Sequence, residues 1–404
     1  MKKQRTGDQN FVKQMNKSIV FNSIKNKGPM SRTQISKNTG LNKATVSTMA
    51  SELIDESFVN EMESGQSSGG RKPVMLYFNN HAGYSIGIDL GVNYILGVLT
   101  DLNGTIMEEL SSPLSSTEYT EVKRSLNAII ESLMAKAQDS PYGVIGIGIG
   151  APGYVDLDEK ILFAPNLKWN EVDLKADIEG EFDIPVYIQN EANCGARGEN
   201  LYGAGKDISN LVYISIGIGI GAGIIIHNEL YSGTSGISGE IGHFTIEANG
   251  RKCTCGNHGC WELYASENAL LQNATQQKVL NDREDISLEE IMADAKMGNP
   301  KVLHVLHTLG EYIGIGLTNV INTFNPEMVI IGNRISQLNN WIENPIKHVL
   351  QERLSELHKE NTVVNFSVLG KYSSALGAAS ISISNFFSTQ RLESLHSFPK
   401  TIQI

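Results

Sequence analysis

Apolar positions near the amino terminus fall at helical spacing. Ser18-Ile-Val-Phe-Asn-Ser-Ile24 predicts a helix that ends before Gly28-Pro29, because proline cannot continue it. Ser31-Arg-Thr-Gln34 then has the form of a capping box. It predicts a second helix that buries Ile35, turns at Thr39-Gly40, and leads into a third helix from about Asn42 to Ile54 with Val46, Met49, Leu53 and Ile54 inward. After this the period shortens. Phe58-Val-Asn-Glu and Val74–Phe78 predict two strands, and the glycine-rich stretch 65–73 between them a wing. From Ser85 onward the alternation is that of strands, broken by Asp101-Leu-Asn-Gly104, a hairpin signal. The near-apolar run Tyr213–Ile226 is short and studded with glycine, so it reads as a buried strand and turn and not a bilayer span.

This reading makes the first 80 residues a winged helix-turn-helix. The polar positions agree: Ser31, Arg32 and Thr33 at the start of one helix, Asn42, Lys43, Thr45, Ser47 and Thr48 along the reader, and Arg71 and Lys72 in the wing are donors and acceptors suited to phosphates and base edges. Charge sharpens the picture. Residues 1–80 hold 12 Lys and Arg against 6 Asp and Glu, a net of +6 that leaves −17 of the chain's −11 to the rest. A basic head on an acidic body is the footprint of a nucleic-acid-binding module. The rival is a small helical docking domain with a solvated charge run. At 404 residues and 41% hydrophobic, the chain has material for two or three cores. The polar amino terminus and the lack of a span point to a cytoplasmic protein.

Three of the four cysteines lie between His243 and Glu262. Cys253, Cys255 and Cys260 with His243 offer Zn²⁺ the four soft ligands of a closed tetrahedral site, and Gly256 and Gly259 let the loop fold back. Buried free thiols and a disulfide are the alternatives, but cysteines one residue apart rarely pair. A zinc with four protein ligands has no open position for chemistry, so its expected role is to hold the loop. Cys194 reads as a small core residue.

Glu240-Ile-Gly-His243 followed by CxCGxxGCxE resembles the signature of the ROK family (repressors, open reading frames and sugar kinases). Gly150-Ala-Pro-Gly153, Asn166-Leu-Lys-Trp169 and Asn190-Glu191-Ala-Asn193 occur in the family's order ahead of it. The resemblance implies an α/β fold: the winged head at 1–80, then a two-lobed actin-like ATPase body with a zinc loop. Its first lobe would be 81–190, completed by a helix near 375–390, and its second 191–374. It also implies that Gly153, Asn190, Glu191, Glu240, His243 and Glu262 bind a sugar, with His243 shared between sugar and zinc. The kinases' Asp-x-Gly-Gly-Thr clamp is altered here. Val92 stands where glycine admits the phosphate, Asn93 replaces the threonine, and Ile218 and Asn333 interrupt the other nucleotide elements. Glu191 replaces the catalytic aspartate, moving the carboxylate by about an ångström, a shift worth on the order of 10²-fold in rate.

The expectation is therefore no enzyme. The resemblance implies a sugar-responsive repressor that binds a palindromic operator as a homodimer or higher even oligomer and is released by a free sugar, xylose. A ROK sugar kinase and a repressor controlled by a partner protein are the alternatives.

Overall fold

The structure, a computed structural model, describes residues 9–63, 74–280 and 286–392. Helix α1 (Gln9–Lys27) begins well before Ser18, since no Gly or Pro interrupts the segment. Its added turns carry Phe11, Val12 and Met15 on an exposed face, which is why burial periodicity did not mark them. Strand β1 (Met30–Ser31), α2 (Arg32–Thr39), α3 (Lys43–Asp55), β2 (Val59–Glu63) and β3 (Val74–Phe78) complete the head, with the sheet ordered β1-β3-β2. Both helix starts follow the sequence chemistry. Ser31 and Gln34 form the reciprocal capping box, and Asn42 Oδ1 accepts from the Thr45 amide at 2.8 Å. Gly40, at φ 74°, ends α2 in the left-handed region.

The first lobe of the body is built on β4 (Tyr84–Leu90), β5 (Tyr94–Asp101), β6 (Ile106–Pro113), α4 (Tyr119–Met134) and β7 (Val144–Ala151). A small antiparallel sheet of β8 (Tyr154–Val155), β9 (Ile161–Ala164) and β10 (Trp169–Val172) follows, then α5 (Leu174–Phe182), β11 (Val186–Asn190) and α6 (Glu191–Tyr202). The main sheet runs β11-β7-β4-β5-β6. The second lobe repeats a five-stranded sheet, β14-β13-β12-β15-β16. Its members are β12 (Leu211–Ile216), β13 (Ile220–Ile226), β14 (Glu229–Leu230), β15 (Met328–Gly332) and β16 (Val363–Phe366). The run Tyr213–Ile226 is thus the β12–β13 hairpin, bonded across Ile216 and Ile220. Helices α7 (Glu262–Ala265), α8 (Glu267–Gln276), α9 (Leu288–Lys296), α10 (Pro300–Phe324), α11 (Asn339–Arg353) and α12 (Glu356–Asn361) cover this lobe.

The last helix, α13 (Ser373–Thr389), returns to pack on β4, β7 and α6. Contact there is backbone to backbone. A Cβ on Gly87 would come within 2.0 Å of the Ala375 carbonyl, and one on Gly148 within 1.9 Å of that of Ala378, so only glycine fits either position. The far end of α13 enters the head. Phe387 is 0% exposed among Phe21, Phe58 and Phe78, with ring centroids 5.2, 6.1 and 6.0 Å away, and Lys25 Nζ sits 4.4 Å from its centroid. Beyond it, the Leu392 carbonyl accepts from Ser18 Oγ at 2.6 Å. Head and body therefore share one apolar core, which includes Ile145, Ile383 and Leu392.

Candidate functional site

Strand ends and turns from both lobes converge on the cleft between them, at the carboxyl ends of parallel strands where α/β sheets leave a crevice. From the first lobe come the loop after β7, with Gly153, and the β11–α6 junction, with Asn190 and Glu191. The second supplies the β12–β13 turn, the 3₁₀ turn Ile241–His243 and Glu262 at the start of α7. Gly153, Asn190, Glu191, Glu240, His243 and Glu262 all line one cavity of about 150 Å³. Asn190 is largely committed within the protein. Its Oδ1 caps α6 by accepting from the Ala192 and Asn193 amides, while Nδ2 donates to the Gly153 carbonyl at 3.0 Å and to Glu191 Oε2 at 2.9 Å. It fixes the positions of Gly153 and Glu191 relative to each other.

Three further cleft residues, Asp89, Tyr94 and Ser374, were not singled out from the sequence. Asp89 pairs with Leu96 across the β4–β5 hairpin, which makes Tyr94 its diagonal neighbour on the same face. Tyr94 Oη donates to Asp89 Oδ2 at 2.6 Å. That register was readable from the hairpin. Ser374, on α13, was not, since nothing local ties position 374 to position 89.

Crowding of carboxyls governs the electrostatics. Burial pushes Asp89 up to about 6 against the opposing hydrogen bond from Tyr94. Burial likewise pushes Glu191 up to about 8, its own backbone amide opposing and the Asp89 and Glu240 charges adding to the rise. Glu240 rises to about 7 through burial and the charge of Glu262. A carboxyl whose folded pKa lies above its unfolded value stabilises the fold fully below the unfolded value, and that contribution is lost as pH rises through the folded one. For Glu191 the window runs from 4.5 to about 8. The thermal midpoint of the ligand-free protein should thus fall between pH 5 and pH 8 more steeply in wild type than in Glu191→Gln. Parallel profiles in a melting series would show that Glu191 does not titrate in this window.

Beside the cavity, His243, Cys253, Cys255 and Cys260 bring their ligand atoms within 4.8 Å of one another. Cys253 Sγ lies 3.7 Å from His243 Nδ1, and Cys255 Sγ 3.7 Å from Cys260 Sγ. Zn–S bonds of about 2.3 Å put tetrahedral edges at roughly 3.8 Å, so the donor set fits zinc and the thiols are not bonded to each other. Gly259, at φ 69°, makes the return turn with its Cα pressed on the Glu247 backbone. Trp261 anchors the end of the loop. It is 0% exposed and donates Nε1–H to the Tyr312 carbonyl at 2.8 Å. Glu262 Oε1 then sits 3.2 Å from Cys253 Sγ and 3.5 Å from His243 Nδ1, while Nε2 of the same histidine faces Glu240 at 4.0 Å. One imidazole thus touches both the thiol cluster and the cavity's acids. Cys194 is buried in the core, away from the cluster.

In the head, Thr33, Asn42, Lys43, Ser47 and Thr48 are exposed along α2 and α3, with Thr45 half-buried. Ser31 and Asn42 serve as helix caps, and Thr48 Oγ1 donates to the Ala44 carbonyl. Arg32 reaches Glu61 at 2.7 Å, so a phosphate would have to compete with that carboxylate. Arg71 and Lys72 lie outside the described residues.

A helix-turn-helix head joined to a two-lobed α/β body, with a Cys₃His loop beside the interlobe cavity, defines the class. The ROK family profile matches residues 85–385, and the chain belongs to the ROK family. It is 47% identical to the xylose repressor of Bacillus subtilis (strain 168), over 94% of this chain and 97% of that one. A solved ROK family transcriptional regulator, described as a homologue of the E. coli MLC protein, superposes with a TM-score of 0.79 at 29% identity, covering 94% of this chain and 99% of that one. A ROK family glucokinase from Streptomyces griseus, solved with glucose and AMPPNP, gives 0.69 at 30% identity, covering 74% of this chain and 99% of its own. Among the described residues no helix is long and apolar enough to cross a membrane.

Proposed function

We propose that the chain is a transcriptional repressor that binds a palindromic operator as a symmetric dimer and is released by a free sugar, xylose. The division into a head at 1–80 and lobes at 81–190 and 191–374 belongs to this reading. Gly153, Asn190, Glu191, Glu240, His243 and Glu262 would hold the sugar. His243, Cys253, Cys255 and Cys260 would hold a structural zinc, which supplies fixed loop geometry and no reactive position. Thr33, Lys43, Ser47 and Thr48 present the exposed donors that the operator would meet.

The observation that carries this reading is the path of α13. Ser374 at one end lines the cleft, and Phe387 at the other completes the core of the head. Between them the helix backbone rests on glycines of the first lobe, leaving little slack to absorb a displacement. A sugar that favours one lobe arrangement shifts α13 and with it the head, and its differential affinity for that arrangement becomes lost operator affinity. Phosphoryl transfer fits less well, because Asp89 is already engaged by Tyr94.

Calorimetry against a panel of free sugars, paired with gel shifts on operator DNA, tests the sensor directly. Xylose should bind and release the operator, and a coupled assay should detect no sugar-dependent ATP turnover. Steady turnover of about 1 s⁻¹ or more would make the body an enzyme. Operator release without any sugar binding would put control in a partner protein.

A further inference from the structure

Two cavities meet inside the cleft. The smaller, of about 150 Å³, holds the six residues assigned to the sugar, and the larger, of about 520 Å³, extends past Ser111, Gln337 and Lys371. Asp89, Asn93, Tyr94, Glu191, Ser215, Asn333 and Arg334 border both, so side chains stand between them.

Tyr94 is the fixed part of that partition. Its ring lies so close on Gly91 that a Cβ there would be 2.3 Å from Cε1, its carbonyl accepts from the Gly91 amide at 2.9 Å, and Oη is tied to Asp89 at 2.6 Å. Glu191 stands beside it. Its carboxyl is held by Asn190 Nδ2 at 2.9 Å. A ligand in the smaller cavity has Glu240, His243 and Glu262 along the zinc-loop side and this partition on another. An arm extended toward the larger cavity past these two side chains would have to displace the Glu191 carboxyl or break the Tyr94–Asp89 bond.

D-xylose and D-glucose, as pyranoses, share their ring and the configuration of their hydroxyls at C2, C3 and C4. They differ only by the hydroxymethyl arm on C5. We propose that Tyr94 and Glu191 are the size-selecting wall of the sugar cavity, admitting a pentopyranose with a bare C5 methylene and excluding the C5 arm of a hexopyranose. The inference rests on the reading of the cleft as a sugar site. The extra methylene of glutamate over aspartate fills about the space of the arm's carbon, and a methylene's worth of pocket is typically worth about 10–200-fold in discrimination.

Calorimetry with D-xylose and D-glucose on the full-length wild type, Glu191→Asp and Tyr94→Ala decides the matter. Wild type should favour xylose at least about ten-fold, and Glu191→Asp should move that ratio about ten-fold toward glucose. Tyr94→Ala, which removes the wall without altering the Glu191 carboxyl, should shift it the same way, and serves if Glu191→Asp loses both sugars. Retained xylose binding shows that a variant is folded. Equal wild-type affinities for the two sugars, or a ratio unchanged in both variants, would overturn the wall while leaving the sugar site standing. Wild type that takes up neither sugar would remove the sugar site itself.

Discussion

Cys255→Ser protein, or protein stripped by a chelator, is expected to lose sugar affinity by on the order of 10–100-fold, the range seen when groups that orient a metal site are removed. The loop from His243 to Trp261 is tethered by isolated bridges, Thr245 to Cys260 and Lys252 to His258, and by the anchor at Trp261. These pairings fix the loop's backbone, and the metal would tie the four ligand side chains to one another. With it gone, His243 no longer has a fixed orientation, and the Glu262 carboxylate beside Cys253 loses its neighbour. Both residues line the cavity proposed to hold the sugar. Elemental analysis should find one zinc per chain, and calorimetry before and after chelation gives the change in affinity. Metal-free protein that takes up sugar as well as the holoprotein would sink the structural role assigned to the loop.

What could be read from the sequence was what is settled locally. The capping box at Ser31 and Gln34, the Asn42 cap, the β5–β6 hairpin at Asp101–Gly104 and the four metal-ligand candidates each depend on residues a few positions apart, and the structure places all of them as their chemistry suggested. Contacts over long sequence separation left no such mark. The entry of Phe387 into the head joins positions more than 300 residues apart, and nothing around Phe386-Phe387 distinguishes them from any apolar helix end. The early start of α1 escaped notice for a different reason. Its first turns expose their apolar side chains, so the spacing there does not report burial.

The seam at Phe387 carries the second large effect. Removing a buried phenylalanine ring typically costs about 3–5 kcal/mol, and this ring touches Phe21, Phe58 and Phe78 of the head from the end of a body helix. Phe387→Ala should therefore lower operator affinity and weaken release by sugar, while sugar affinity itself stays near wild type. The separation follows from distance along α13: the substitution opens a cavity in the head core, whereas Ser374 and the cleft lie more than three helical turns away. Phe387→Leu, which keeps most of the volume, should fall between the two. Fluorescence anisotropy on operator DNA, with and without sugar, read against calorimetry on the same preparations, separates the effects. Should Phe387→Ala hold the operator and release it on sugar as wild type does, α13 does not carry the signal, and coupling must run through the packing of Tyr142 and Ile145 against the head.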